Sequence, residues 1–433
     1  MASPRFTGNA PLVAQLQTIT VGTYDNTSTY KLTIGNKVVS VVGSGGSAAT
    51  TATALLAALN ASTYPEFLEI TWASGGSAII TGTANGTGLL KGKPFTVVES
   101  VTGGTGDFTS NVTTTAASGP NDVSLAQNWS TGVVLADTDS VYFDSGSTDV
   151  LYNLDQNAIT PNAVYILPGF TGKIGLPLTN TDNTSVGGSY AEYRTTYLQY
   201  GNSGDATNIA VTIQSTSQRI KLNCGTSQAT FNVLNGGQRP DPNVPNILLK
   251  STHASSALTI SKGDCGVAFF GGETSTLVTV NAGYQQNVTG DVQLYLGSGV
   301  TLTAPAIVQS GGTLSVNSAI TSTSTVVIND GVYYQNGTGG IAAGLSVRGG
   351  RCVYNSTGTL GGAPVVSGSG IMDFSQDLRA KTVTNPIDCY GDKCSVLDPH
   401  KVVATLVLDL DEVKNTEKFD IGRNVRMTRG TPS

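Results

Sequence analysis

The chain has 433 residues, of which 12% are charged and 53 are glycine, and its formal net charge is −6. Thr, Ser and Asn crowd between short runs of Val, Ile and Leu, which favours β-structure with many tight turns and leaves no place for long amphipathic helices. The composition supplies no basic face for nucleic acid, and the opening MASPRFTGNAPLVAQ reads as neither a secretory signal nor a membrane span, so cytoplasmic synthesis without membrane insertion is expected.

In chain order, residues 1–12 read as an N-terminal arm and residues 13–117 as a small α+β docking domain. Tyr30–Ile34 and Lys37–Val41 flank Gly35-Asn36, a two-residue hairpin turn in which both residues tolerate positive φ. The hairpin runs into Val41-Val42-Gly43-Ser44-Gly45-Gly46-Ser47-Ala48. Gly43, Gly45 and Ala48 match the G-x-G-x-x-G/A spacing of a dinucleotide loop, with Glu66 and Glu69 about twenty residues on, where a ribose-binding acid belongs. A hairpin strand before the loop, and no crossover helices after it, argue for a bend instead and for no cofactor. Ser47 is expected to cap a helix that places Ala48, Thr51, Leu55, Ala58 and Leu59 near one face. Phe67–Trp72, Ser77–Gly82 and Pro94–Val101 are the next strand candidates.

From residue 118 to about 380, short strands such as Ser140–Phe143 alternate with Gly, Asn and Ser turns. Four segments align on Gly312, Gly331, Gly350 and Gly370, spaced 19, 19 and 20 residues apart, each preceded by apolar residues and followed two positions later by Leu314, Tyr333, Cys352 or Met372. A unit of this length, with two short strands and a glycine corner, suits one coil of a β-solenoid, which satisfies its strand edges only when the next coil stacks on it. Leu314, Tyr333, Cys352 and Met372 are then expected to be neighbours in an interior column. After the sparsely charged repeats, residues 396–433 carry twelve charged residues, Asp398, Lys401, Lys414, Glu417, Lys418 and Arg423 among them, and residues 381–433 are expected to form a C-terminal cap or oligomerisation segment. Lys401–Leu410 and Phe419–Thr428 read as a charged terminal hairpin that covers the open end or pairs with another subunit. The expected fold class is mainly β: a small N-terminal α+β domain, a parallel β-solenoid and a C-terminal β cap.

Catalytic chemistry is sparsely represented. The two histidines, His253 and His400, stand in no nucleophile-elbow context. Cys389, Cys394 and His400, with Cys352 as a candidate neighbour in space, are candidate zinc ligands; a local disulfide or unpaired thiols are the alternatives, and the odd, scattered set of five cysteines argues against a disulfide framework. Asp137, Asp139, Asp144, Asp149 and Asp155 are close enough in sequence to test as a paired-carboxylate or calcium site, but their positions suit turn closure better. Tyr190, Tyr193, Tyr197 and Tyr200 could line a sugar-stacking stripe or serve packing, the latter being favoured. Nine Asn-x-Ser/Thr triplets, Asn26, Asn128 and Asn336 among them, follow from composition. No catalytic, cofactor-binding or metal-binding residue is assigned.

Two stretches carry a family resemblance over about the first third of the chain. TITVGTYDNTSTYKLTIGNKVVSV and its Ala/Thr-rich helix resemble small domains in structural proteins of tailed bacteriophages. Gly119-Pro120-Asn121 through Asn128-Trp129-Ser130 to Asp139-Ser140-Val141-Tyr142-Phe143 is similar to the opening of β-helical phage and bacterial surface proteins, which commonly read G-P-N-x-W, then N-W, then G-D-x-V; Val123 stands here for the first Trp and Thr138 for the Gly. The resemblance implies a non-enzymatic virion component, a capsid decoration or head spike above all. It would be a homotrimer contacting other virion proteins, the major capsid protein first, with host-surface glycans as further candidate partners. A tail fibre or receptor-binding protein, a polysaccharide-degrading tailspike and a bacterial adhesin are the alternatives.

Overall fold

The computed structural model describes residues 3–428 except 87–91, 181–187, 202–207, 217, 238–242, 284–291, 318–324, 392, 412–419 and 422–424. A small α+β module comes first: β1 (Leu16–Val21), β2 (Thr29–Ile34), β3 (Lys37–Val42), α1 (Ala48–Asn60), α2 (Pro65–Leu68), β4 (Ile70–Gly76), β5 (Ile79–Ala84), β6 (Val98–Thr102) and β7 (Phe108–Thr115). Strands β4-β5-β1-β7 form one sheet and β3-β2-β6 another. The β2–β3 hairpin closes through Gly35-Asn36 with Ile34 opposite Lys37. Only Gly35 takes positive φ, 60°, which suits a II′ turn with glycine first. Ser47 accepts a hydrogen bond from Thr50 N at 3.2 Å and caps α1, whose Thr51, Ala52, Leu55 and Leu59 are buried against the sheets. These side chains join Ile19, Tyr30, Leu32, Phe67, Trp72 and Ile80 in one core. Gly43, Gly45 and Gly46 form the bend between strand and helix, and the antiparallel pairing of β3 with β2 removes the βαβ frame that a dinucleotide loop requires.

The strand expected over Phe67–Trp72 starts later. Pro65 fixes a helical φ at the first position of α2, which takes Phe67 into a helical turn before β4 begins at Ile70. The expected strand over Pro94–Val101 likewise narrows to β6, because residues 94–97 are held by a side chain: the buried Gln15 amide donates to Phe95 O at 2.6 Å and accepts from Phe95 N at 3.1 Å.

Beyond residue 118 the chain winds into a parallel β-solenoid of about eleven turns. At a strand spacing of about 4.8 Å this is a stack on the order of 50 Å tall. Ser140–Gly146 pairs in parallel with Ala163–Phe170, which pairs with Ile209–Ile213, and the succession continues to the C-terminal strands. The column read from the repeat forms as expected: Leu314 is in register with Tyr333, Tyr333 with Cys352, Cys352 with Met372 and Met372 with Val396. The four repeat residues are fully buried. Each such side chain contributes about 1.5–3 kcal/mol by leaving water. Gly331 and Gly350 are required twice over, by φ of 87° and 69° and because a Cβ on each would lie 2.3 Å from the carbonyl oxygen of the corner glycine one coil below. In the fourth unit the left-handed corner moves to Gly368, with φ 59°, two residues before Gly370.

Both ends of the stack depart from expectation. The N-terminal arm covers the first coil: Arg5 bridges to Tyr142 and Phe6 to Trp129, and the Phe6 ring packs 5.4 Å from Trp129 and 5.7 Å from Phe143. Val123 is buried and its carbonyl accepts from Trp129 Nε1 at 2.8 Å. Thr138, in the place of the Gly, adopts φ of 66°, the left-handed conformation that a glycine would take without strain. At the other end Leu406–Asp411, Asp420–Ile421 and Val425–Thr428 pair in parallel with the strands beneath them, and the first with the last. Parallel pairing of these strands excludes the expected antiparallel hairpin; they extend the stack instead. Several charged residues singled out in this segment, Lys414, Glu417, Lys418 and Arg423 among them, lie outside the described residues.

Candidate functional site

The strongest concentration of buried charge lies where the module meets the first coils. Glu69, the residue at the C-terminal end of α2, is 2% exposed and projects onto the solenoid. Its Oε2 accepts from Tyr193 Oη at 2.8 Å and pairs with the Arg194 guanidinium, its Oε1 accepts from Tyr190 Oη, and Lys93 Nζ lies 3.4 Å away. Arg194 also reaches Glu192 at 2.9 Å, and Glu192 in turn accepts from Asn180 Nδ2 at 2.8 Å and from the backbone N–H groups of Tyr193 and Arg194. Burial raises the Glu192 carboxyl and lowers Lys93 to about 7 and Arg194 to about 10, so Arg194 remains cationic at neutral pH. Burial also pushes the Tyr193 hydroxyl well above its usual range, which keeps it a hydrogen-bond donor. Removing one member would leave its partners charged or polar and buried, a change that costs several kcal/mol.

A second cluster lies along the same flank. Lys221 is 1% exposed, donates to Leu176 O at 2.9 Å, and sits 4.7 Å above the Tyr197 ring. Tyr197 Oη donates to Glu273 at 3.2 Å, and Lys250 lies 3.6 Å from the same carboxylate. Desolvation lowers Lys221 to about 7. Beside the first cluster a cleft of about 270 Å³ opens between the module and the solenoid, lined by Phe95, Tyr152, Asn153, Asp155 and Arg194 among others.

The residues considered from sequence divide between this junction and positions elsewhere in the fold. Glu69 is an interdomain ligand for tyrosine and arginine, and Glu66 is buried in the same core. Tyr190 and Tyr193 meet Glu69, Tyr197 meets Glu273, and Tyr200 is buried inside the coil, so the four do not form an open stacking stripe. The aspartates serve separate local contacts. Asp137 accepts from Thr160 N at 2.8 Å, Asp139 from Ala136 N at 3.0 Å, Asp149 from Lys173 N at 2.8 Å and Asp155 from Asn157 N at 3.4 Å, while Asp144 pairs with Arg5. All five cysteines are buried thiols. Cys352 stands in the column of Tyr333, whereas Cys389 is in register with Val366 on another wall and meets the Cys394 thiol there. Among the described residues no group of three His, Cys, Asp or Glu is placed to hold a metal. His253 Nδ1 accepts from Ser255 N at 3.1 Å in a turn, and His400 is exposed.

Lys93, Glu192 and Arg194 were not singled out in the sequence because their partners lie far along the chain. Their one local signal is the charged run Glu192-Tyr193-Arg194 in a region where charge is otherwise rare. Among the described residues no helix is long and apolar enough to cross a membrane. Comparison with protein-family models, curated proteins and solved structures finds no match to the chain.

Proposed function

We propose that the chain is a non-enzymatic virion structural protein in which the α+β module docks on another virion protein, the major capsid protein foremost, and the solenoid projects as a rigid spacer. A capsid decoration or head spike fits this reading best. The observation that carries it is the buried Glu69–Arg194–Tyr193 network, which ties the module to the foot of a long stack and lets an attachment at one end set the direction of the other. A solenoid with one continuous interior resists bending because every coil is hydrogen-bonded and packed on its neighbours. The proposed assembly is a trimer, in which three solenoids cover one another's flanks.

Gold-labelled antibody against the solenoid, applied to particles released by lysis of cells that make the chain, tests the reading. Label on particle heads supports it; label confined to tails reassigns the chain to a tail fibre, and its absence from every particle overturns it. Incubation with host capsule or lipopolysaccharide tests the enzymatic rival, since release of oligosaccharides would displace the structural reading. Mass measurement in solution tests the trimer, which a monomer at micromolar concentration would rule out.

A further inference from the structure

We propose that the cleft between the module and the solenoid is a binding site for an organic monocation, an ammonium or guanidinium group on a short apolar stem. The cleft lies within a single chain, so the inference does not rest on the virion reading. Its volume of about 270 Å³ is below that of drug-sized pockets, and its position between two domains is one where ligand sites recur.

Ile34, Phe95, Leu151, Tyr152 and Leu154 make up the apolar and aromatic part of its lining. Phe95 is fixed there by both hydrogen bonds of the Gln15 amide. Asn153 and Asp155, in the same lining, offer acceptors. Among the described residues Asp155 receives only the long 3.4 Å bond from Asn157 N at Oδ1, which leaves carboxylate lone pairs for a donor. Asn153 holds φ of 50° and gives its side-chain N–H groups to Asp122 at 2.7 Å and Ser124 at 3.1 Å, so that among the described residues Oδ1 is its unused end. A non-glycine residue kept in the left-handed region beside a cleft marks a position fixed by its surroundings.

Charge decides the class of donor. Arg194 lines the cleft, but its guanidinium is engaged by Glu192, Glu69 and the Tyr193 hydroxyl. The other charged residue of the lining is Asp155, whose carboxylate no basic group among the described residues engages. That uncompensated carboxylate disfavours phosphate, sulfate and carboxylate ligands and draws in a cation, to which the Phe95 ring in the lining adds quadrupole attraction.

The shared chemistry has two sources, a free small molecule or a basic side chain of another protein. The intact chain is titrated by calorimetry with n-butylguanidinium, with acetyl-Gly-Arg-Gly-amide, and with two neutral probes, n-butylurea and sucrose. We expect both cations to bind at least about tenfold more tightly than either neutral probe. Tighter binding of the tripeptide assigns a protein side chain as the source; equal or tighter binding of n-butylguanidinium assigns a small molecule. Asp155→Asn, isosteric and checked for an unchanged melting curve, should weaken the cations about tenfold through loss of a charged acceptor. Phe95→Leu should weaken them about threefold. Asp137→Asn, outside the cleft, should leave them unchanged. Equal binding of n-butylurea or sucrose, no binding of either cation, or indifference to both cleft substitutions would overturn the proposal.

Discussion

The module and the solenoid are stabilised in opposite ways. The module's strands pair antiparallel, β2–β3 and β4–β5 as local hairpins but β1–β5, β1–β7 and β2–β6 across much of the module's length, and a single capped helix completes a core of 14 buried side chains, among the described residues, between two small sheets. The solenoid's strands pair in parallel with partners roughly one coil away, and its core is a set of columns running the height of the stack. A module of this kind can close on itself, whereas a coil cannot, because its apolar positions and strand edges wait for the coils above and below. The junction joins the two by buried ion pairs and tyrosine hydroxyls instead of continuous apolar packing.

Substitutions at the two cores and at the junction separate these modes. The largest effect is expected from Tyr333→Ala, which opens a cavity in the column between Leu314 and Cys352 and removes a 2.8 Å bond to Gln335 Oε1. We expect a loss of about 4 kcal/mol. Amide hydrogen exchange should show it as lost protection in the coils around residue 333, with the module unaffected; equal loss in both regions would show that they unfold as one unit.

Glu69→Ala should follow at about 3 kcal/mol, because Arg194 and Lys93 stay buried without their shared partner. Its readout is interdomain: small-angle scattering should show a longer molecule, and proteolysis should open the connection near residues 116–119, while both cores keep their protection. Unchanged scattering would mean that packing alone fixes the junction.

The buried lysines give a pH test of the same contrast. Lys93 and Lys221 titrate near 7 in the folded chain, against about 10.4 when unfolded. Above pH 7 the unfolded state binds more protons than the folded one, so these groups make stability rise with pH, at up to about 1.4 kcal/mol per pH unit for each lysine. The buried cysteines, whose thiols burial raises, act in the opposite sense above about pH 8.5, where unfolded thiols ionise first. Denaturant melts from pH 7 to 8.5 should therefore show increasing stability, and Lys93→Met should flatten the part that belongs to the junction. A rise that survives in the Lys93→Met, Lys221→Met double variant would refute the assignment. The smallest effect belongs to Ser47→Ala, which removes the α1 cap at a cost of about 1 kcal/mol and should lower protection in the module alone.

What was legible in the sequence follows from the range of each interaction. Ser47 before an Ala-rich run marked α1, and Gly35-Asn36 marked the hairpin, because caps and tight turns act within a few residues. The glycine spacing of 19 to 20 marked coils, since residues one coil apart must be alike for a column to pack. Phe67 was misjudged because Pro65, two positions earlier, outweighs the strand preference of the apolar residues that follow. Phe6 gave no signal of its role: one aromatic residue in a polar arm looks alike whether it is exposed or packed on Trp129.

The sequence by itself determined the architecture: a small capped α+β unit, then a repeating β-coil with an apolar interior, because both are specified by patterns of period two, three to four, or about twenty. Only the tertiary structure decided how the parts meet. The arm over the first coil, the parallel run of the C-terminal strands, and the assembly of Glu69, Lys93, Glu192 and Arg194 with their tyrosines all join residues far apart in the chain. Pairings between single residues so far apart leave no period behind them. Coulomb attraction and hydrogen bonding act at the distances that folding creates, and those distances exist only once the stack and the module have closed on each other.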